Sequence, residues 1–301
     1  MSEPPLALAK VFVDNDGNRG VHGRRADLAG RAEGTPGAPR DPACFVISEH
    51  FREYAETQLE IIARDWEPEL GRPVRRILDA GCGPGVTSLA LSKRYQDAHV
   101  LGVDVEAPAI ALAERLATDQ PRCSFALGRL EDLPVELERF DLIQCRAVVE
   151  HVYDPEDVLH RLLHLLNPGG VLFVETPNYF YPWEPHVRVP MLPKSPKFLV
   201  KLLCWLGRRD PAFVDHLNFA CDPLTMRRWA STAGVELDVI DLVERKARRI
   251  LLEHSEAPVV ARRAALAKLL SRSSMISRLV LLLVRHAPIS PSVMLLLRRR
   301  A

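Results

Sequence analysis

Ile77-Leu78-Asp79-Ala80-Gly81-Cys82-Gly83-Pro84-Gly85 is the stretch on which the reading of this chain turns. Two apolar residues lead into an acid, three glycines alternate, and apolar residues return at helical spacing from Val86 to Leu91. The pattern predicts a buried strand, a tight turn and the start of a helix. Glycine accepts positive φ and lets a ligand approach the backbone. The helix start behind it offers unpaired N–H groups and the positive end of the helix dipole. A turn of this kind, at the C-terminal end of a strand, is where a doubly wound α/β sheet binds its ligand.

The alternation continues downstream. Val100 to Asp104 reads as a second strand, ending in an acid 19 residues beyond Gly85. A carboxylate there suits a ribose diol, whose two hydroxyls it can accept. Pro108 to Leu116 reads as a helix with proline in its first turn. Cys123–Leu127 and Phe140–Cys145 are the third and fourth strands, separated by a loop at 128–134. A helix is expected from about Asp154 to Leu166, stopped by Asn167-Pro168-Gly169-Gly170, and Val171–Glu175 is the fifth strand. Five alternations imply a doubly wound, mostly parallel sheet with helices on both faces. The pattern breaks after Asn178. Tyr179 to Asn218 is rich in proline and aromatics and reads as an insertion with short helices near 196–206. Asp222-Pro223 then opens a helix to Ala233 ended by Gly234, and Val235–Val243 is a strand with a partner expected near Ile250.

The flanks differ from this core. Residues 14–42 hold six glycines, three prolines and few large apolar side chains, so 1–42 is expected to be flexible. Order is expected from about Cys44, with a helix capped by Ser48 and carrying Phe51, Tyr54, Ala55, Leu59 and Ile62. The main domain is placed at 43–256, with 179–221 as a substrate-side cap. Residues 257–301 hold nine Lys and Arg and no acid. They read as a basic apolar helical tail, suited either to an anionic membrane surface or to a helical cap or dimer contact.

Composition narrows the rest. A net charge of +1 over 301 residues argues against a nucleic-acid binder. Six scattered cysteines without a C-x-x-C pair fit reduced thiols in a cytosolic protein. No signal-peptide core is seen, and no stretch nears the roughly 20 apolar residues needed to span a bilayer. The expected location is cytoplasmic, with peripheral membrane contact through 257–301 left open.

Taken together, residues of about 70–245 resemble the class I S-adenosylmethionine-dependent methyltransferase family, in particular its small-molecule and quinone O-methyltransferase subgroup. The resemblance rests on the 77–85 turn, Leu101–Val105, Leu130–Pro134, the run from Glu150-His151 to Pro168-Gly169-Gly170, and Val174–Asn178, in that order and spacing. It implies a Rossmann-like seven-stranded sheet and S-adenosyl-L-methionine as cofactor. The competing cofactor is NAD, but its G-x-G-x-x-G has the third glycine one residue later, and Asp79 suits an ammonium better than a pyrophosphate. By resemblance, Asp79, Gly81 and Gly83 shape the methionine and ribose pocket. Asp104 and Val105 meet the ribose, Leu130 and Glu131 flank the adenine, and Arg146 lies near the reacting methyl.

Two positions depart from the pattern. Arg129 stands where many relatives have an acid. Ala147 stands where quinone-type relatives carry an acid in a proposed metal cluster with the Glu-His pair, so no metal is expected. Glu184, His186 and His216 are metal-type donors, but their separation shows no ligand spacing.

An oxygen acceptor needs a base, and His suits neutral pH. The candidates are His151, His186 and His216. Tyr179, Phe180, Tyr181 and Trp183 either line an apolar acceptor pocket or form the core of the insertion. The function expected is methyl transfer to a hydroxyl of a small or lipid-like molecule. The alternatives are N- or C-methylation of a small metabolite, or a non-catalytic cofactor-binding scaffold.

Overall fold

Residues 59–134, 138–253, 271, 273–286 and 290–300 are described by the structure, a computed structural model of the chain. The segment expected to be flexible at 1–42, and Phe51, Tyr54 and Ala55 of the expected Ser48-capped helix, lie outside the described residues. Leu59 and Ile62 fall in helical turns that end at Trp66, where the indole stacks on Phe173 with ring centroids 4.3 Å apart.

The strand–turn–helix unit forms as its pattern dictates. Strand β1 is Arg76–Ala80, buried from Ile77 onward, and helix α1 is Val86–Arg94. Strand β2 (His99–Asp104), helix α2 (Ala107–Leu116), strand β3 (Cys123–Leu127) and strand β4 (Phe140–Arg146) follow. Helix α3 (Pro155–His164) is capped by Asp154, whose carboxylate accepts from the N–H groups of Glu156 and Asp157. Strand β5 is Leu166–Pro177. These five strands pair in parallel, in the order β3-β2-β1-β4-β5.

The insertion contributes a two-stranded ribbon, β6 (Trp183–Glu184) and β7 (Val189–Pro190), and helix α4 (Lys197–Leu206). Helix α5 (Pro223–Thr232) is capped by Asp222, and strand β8 is Leu237–Asp241. The sheet resumes there, with one change from expectation. No strand partner forms near Ile250. Asp241 caps a new helix, α6 (Leu242–Arg248), and Ile250 sits in a following π-helical turn, Arg249–Glu253.

The partner of β8 comes instead from the tail. Helix α7 (Ser274–His286) is present as expected, but strand β9 (Ser292–Arg299) enters the sheet between β5 and β8, antiparallel to both. Among the described residues the main sheet therefore has seven strands, β3-β2-β1-β4-β5-β9-β8. The reading of 257–301 as wholly helical is corrected in its last segment. A five-residue apolar run does not distinguish helix from strand by composition. Burial on both faces decides it: Val293, Leu295, Leu296 and Leu297 are all buried, as a central strand requires. The terminal arginines find partners in the fold. Arg298 pairs with Asp238 at 2.7 Å, Arg300 with Asp238 at 2.8 Å, and Arg299 donates to the Leu166 carbonyl at 2.8 Å.

A second correction concerns Asn167–Gly170. The helix ends earlier, at His164, and Asn167–Gly170 are already inside β5, in a bulge that shifts the register between Phe140↔Leu166 and Leu142↔Val171. Buried Asp141 holds the bulge. It accepts from Asn167 Nδ2 (2.8 Å), from the N–H groups of Arg75 (2.8 Å) and Arg76 (3.0 Å), and pairs with Arg72 Nε at 2.6 Å. One carboxylate thus ties the leading ends of β1, β4 and β5 together.

Apolar side chains pack on both sheet faces. One face, with Leu78, Val103, Ile143 and Val174, carries α3, α5 and the insertion through Val187, Val189, Val200, Cys204 and Val214. The other, with Ile77, Val100, Leu142, Phe173 and Leu296, carries Trp66, Leu91 and Leu242. The result holds the ends of β1, β2, β4 and β5 in one place, with the insertion beside them.

Candidate active site

The glycine turn has the geometry its composition predicts. Gly81, Gly83 and Gly85 have φ of 77°, 52° and 76°. Gly81 needs glycine twice over, since a Cβ on it would collide with Val148 Cγ2 in the loop after β4. The turn is held by Val103, whose carbonyl accepts from the N–H groups of Gly81 and Cys82, and by Asp104. Asp104 Oδ2 accepts from Gly83 N at 2.7 Å, and its Oδ1 accepts from Glu106 N at 3.0 Å. The second-strand acid therefore braces the turn from within.

Asp79 is buried at the end of β1. It accepts from Ser88 Oγ at 2.6 Å and from Gln144 Nε2 at 3.1 Å. Burial pushes its carboxyl up to about 6, against the pull of these two hydrogen bonds. Gln144 Oε1 is buried beside it with no hydrogen-bond partner. A buried carboxylate next to an unanswered amide oxygen is an acceptor pair suited to a cation such as an ammonium.

The other expected cofactor residues rim the same sheet end. Val105 is exposed just past β2, and Leu130 is buried in a short 3-10 turn, Leu130–Asp132. Glu131 Oε1 accepts from Tyr153 N and from Arg129 Nη2, each at 3.1 Å. Arg129, the departure from the family pattern, is thus tied to the acid two residues on. Arg146 donates from Nε to Glu175 Oε2 at 2.7 Å, linking the ends of β4 and β5.

Just after β4, the loop turns sharply at Ala147 (φ 51°) and brings Glu150 and His151 under the insertion. Glu150 is fully buried. Its Oε2 accepts from Thr176 Oγ1 at 3.0 Å, while Oε1 has no hydrogen-bond partner and lies 3.9 Å from His151 Nε2 and 3.8 Å from His186 Nε2. His186 comes from the ribbon, where Glu184, also fully buried, accepts at 2.7 Å from its Nδ1 and at 2.6 Å from Val187 N. That bond fixes the tautomer, with hydrogen on Nδ1 and the Nε2 lone pair toward Glu150 and His151. Phe213 lies edge-on to His151 (5.8 Å between centroids) and tilted on His186 (5.5 Å).

The structure brings His151 and His186 together, with ring centroids 5.1 Å apart. His216 joins differently: its carbonyl lies 3.3 Å from His151 Nδ1, while its ring stands 6.5 Å from Phe213. Glu184, His186 and His216 do not gather as a donor set. Glu150, His151 and His186 do, with one ligand-type atom of each within 4.8 Å of the others. The four insertion aromatics divide, with Tyr181 partly buried. Tyr179 is core, packed on Phe219 at 4.7 Å. Phe180 lies under Lys194, and Trp183 is substantially exposed.

Glu150 makes the site sensitive to pH. Burial pushes its carboxyl up to about 7, while Thr176 and His186 pull the other way. A carboxyl raised on folding contributes stability that is complete below its unfolded pKa and lost as pH rises through the folded one. The window is therefore about pH 4.5 to 8, and its size is about 3 kcal/mol. Glu150→Gln is expected to remove this share of the slope. Urea unfolding of both proteins at pH 5 and pH 8 measures it, and parallel pH profiles would show that Glu150 is not the titrating group.

Comparison with known proteins agrees with this architecture. A central glycine turn, an acid ending the neighbouring strand and a sheet of order β3-β2-β1-β4-β5-β9-β8 define a Rossmann-like, ligand-binding α/β domain. Residues 77–170 match a family model described as "Methyltransferase domain". The chain is 37% identical over 164 residues to a ubiquinone biosynthesis O-methyltransferase of Coxiella burnetii (strain Dugway 5J108-111), covering 54% of this chain and 64% of the relative. It is 39% identical over 105 residues to the enzyme of the same name from Xylella fastidiosa (strain 9a5c), covering 34% and 42%. The matched region thus spans less than two thirds of either relative. Among solved structures, the [4+2]-cyclase SpnF aligns over 82% of each chain with a TM-score of 0.49 at 18% identity, a likeness too loose to carry an argument. Over residues 77–170 the chain thus matches the methyltransferase-domain model, and it is similar in sequence to ubiquinone biosynthesis O-methyltransferases.

Proposed function

We propose that the protein methylates a hydroxyl of a small or lipid-like molecule, with a quinone-like phenol as the acceptor class. The observation that carries this reading is the Glu184–His186 pair facing buried Glu150, on the loop that also packs against the glycine turn. The names of the curated relatives support the acceptor class.

S-adenosyl-L-methionine would supply a methyl group already activated on a sulfonium. Asp79 and the unanswered Gln144 Oε1 would accept from the amino group at the methionine end. Asp104 would meet the ribose hydroxyls beside Val105, with Gly81 and Gly83 forming the floor. Leu130 and Glu131 would bound the adenine, and the Arg146–Glu175 pair would wall the reacting end. His186 Nε2 takes the acceptor hydroxyl proton, and Glu184 holds the ring and balances the imidazolium that results. His151, fixed by the His216 carbonyl, is the second candidate base. Positioning is worth roughly 7–11 kcal/mol in such a site, and a base about 10²–10⁴-fold in rate.

Labelled cofactor incubated with fractionated lipid and metabolite extracts tests this reading. The expected product is about 14 Da heavier, with the label on oxygen. Label on nitrogen or carbon would move the reading to the alternative acceptors, and cofactor binding without product would make the protein a scaffold.

Membrane contact through 257–301 narrows with the structure. Strand β9 is inside the sheet, which leaves α7, where Met275, Ile276, Leu279 and Leu282 are exposed. Among the described residues, no helix is long and apolar enough to cross a membrane.

A further inference from the structure

Gly81 and His151 lie on different loops, and one side chain stands between them. Strand β4 ends at Arg146, and the next residue, Ala147, is left-handed (φ 51°), its N–H donated to the Glu175 carbonyl at 2.8 Å. A non-glycine residue in this region costs of order 1–3 kcal/mol and persists only where its surroundings hold it. Ala147 is exposed, so packing of its own methyl does not explain the conformation. What the bend does is aim Val148. A Cβ on Gly81 would collide with Val148 Cγ2 and stand 3.1 Å from Cγ1 and 3.2 Å from Cβ. The isopropyl group therefore lies against the bare backbone of Gly81.

The backbone of Val148 carries this contact onward. Its carbonyl accepts from His151 N at 2.8 Å, across the 3-10 turn Val149–His151 that also holds Glu150. His151 in turn stands edge-on to His186, with ring centroids 5.1 Å apart. From the glycine turn to the first imidazole there is thus one van der Waals contact and one hydrogen bond. Both segments are tied down on their far sides. Gly81 N donates to the Val103 carbonyl at 2.8 Å, and the Glu150 carbonyl accepts from Asn218 N at 2.7 Å. Val149 and Glu150 are fully buried, and Glu150 Oε2 accepts from Thr176 Oγ1 at 3.0 Å. Close-packed groups held in this way pass a displacement on instead of absorbing it.

We propose that Val148 is a positioning residue: it sets the spacing between the cofactor turn and the His151–His186 pair, so that filling the turn is felt at the imidazoles. The proposal rests on the methyl-transfer reading, which gives the spacing its purpose. An in-line displacement tolerates little error in how the acceptor oxygen approaches the methyl, and a misplacement of about 1 Å can cost about 10²-fold in rate. Val148 acts through Gly81 and His151, and needs no contact with the acceptor. The bend at Ala147 is what holds it there, which accounts for a strained residue directly before the loop that carries the candidate base.

S-adenosyl-L-homocysteine is the probe, and no acceptor is needed. Calorimetry gives its affinity for the full chain. Long-range proton–nitrogen spectra at one fixed pH follow the imidazoles, with signals assigned from His151→Gln and His186→Gln. Wild type is compared with Val148→Thr, Val148→Ala and Ala147→Gly. Threonine keeps the branched shape against Gly81, alanine removes it, and glycine at 147 leaves Val148 intact but releases the bend. All are expected to bind the probe with similar affinity. Binding should shift the His151 signals in wild type and Val148→Thr, while Val148→Ala and Ala147→Gly lose at least half of that shift. A merely structural role would lower the melting temperature of Val148→Ala and leave the shift in place. A full shift in either Val148→Ala or Ala147→Gly, a Val148→Thr that behaves like Val148→Ala, or a bound probe that leaves the wild-type signals unmoved would each overturn the proposal. Calorimetry keeps the two readings apart: no binding by wild type would sink the cofactor site and the proposal together, whereas binding without the shift sinks the proposal alone.

Discussion

His186→Ala is expected to lower kcat by about 10²–10⁴-fold while leaving the affinity for S-adenosyl-L-methionine unchanged. The imidazole is set up for proton transfer. Glu184 accepts from Nδ1 at 2.7 Å, so the free lone pair is on Nε2; the buried Glu184 carboxylate also accepts from Val187 N, and His186 sits in the turn that joins β6 to β7. His151 Nδ1 lies 3.3 Å from the His216 carbonyl, and its Nε2 lies 3.9 Å from Glu150 Oε1. An imidazolium forming there has the Glu150 carboxylate at 3.9 Å, whereas one on His186 has Glu184 at 2.7 Å. His151→Ala is therefore expected to cost less, on the order of tenfold, through lost packing against His186 and Phe213. Steady-state kinetics of the two variants, on the acceptor found with labelled cofactor, decide between the rings. A larger loss in His151→Ala would move the base to that residue. Glu184→Gln should shift the pH profile of kcat, since it changes what stabilises the charged ring rather than the ring itself.

Asp104→Ala is expected to weaken cofactor binding by about 100-fold, or roughly 2.7 kcal/mol, which is the scale of one or two hydrogen bonds to a charged group. The carboxylate already accepts from Gly83 N and Glu106 N. Its removal therefore loosens the turn as well as deleting the ribose acceptor. The two effects separate by thermal unfolding. Without cofactor the variant should melt somewhat lower than wild type. At a concentration of 100 times the wild-type Kd, wild type gains about 2.7 kcal/mol and the variant only about 0.4. Isothermal titration gives the affinity itself, and equal affinities would remove Asp104 from the cofactor site.

The parts of the fold that depend on local periodicity were legible in the sequence. Strands at 77–80, 100–104, 123–127 and 140–145 and the helices between them lie where alternating apolar runs, Pro at helix starts and Asp caps put them. Strand β9 was not legible, because Val293–Leu297 is a short apolar run whose state is settled by a gap between β5 and β8 more than 50 residues earlier in the chain. The bulge at Asn167–Gly170 was hidden for a similar reason. Its residues read as a helix stop by local chemistry, and only Asp141, across the sheet, makes them begin a strand. At the site, the glycine turn and the two acids could be read directly. The pairing of His186 with His151 could not, since one lies on the β4 loop and the other in the insertion. The signal that was available, Glu184 two residues before His186, identifies a dyad but not what it faces.

The placement of β9 also sets the order in which this sheet can be completed. Residues 292–299 fill the slot between strands that end at 177 and 241, so both of those strands have an unpaired edge until the later segment arrives. Such contacts are distant in sequence, and forming them late slows the folding of a chain and lengthens the exposure of sticky edges. The ion pairs of Arg298 and Arg300 with Asp238 then act as a latch on the last strand to dock. In a growing polypeptide, the five parallel strands can assemble as a unit while the β5 edge of the sheet stays open, making that side the region most in need of shelter during synthesis.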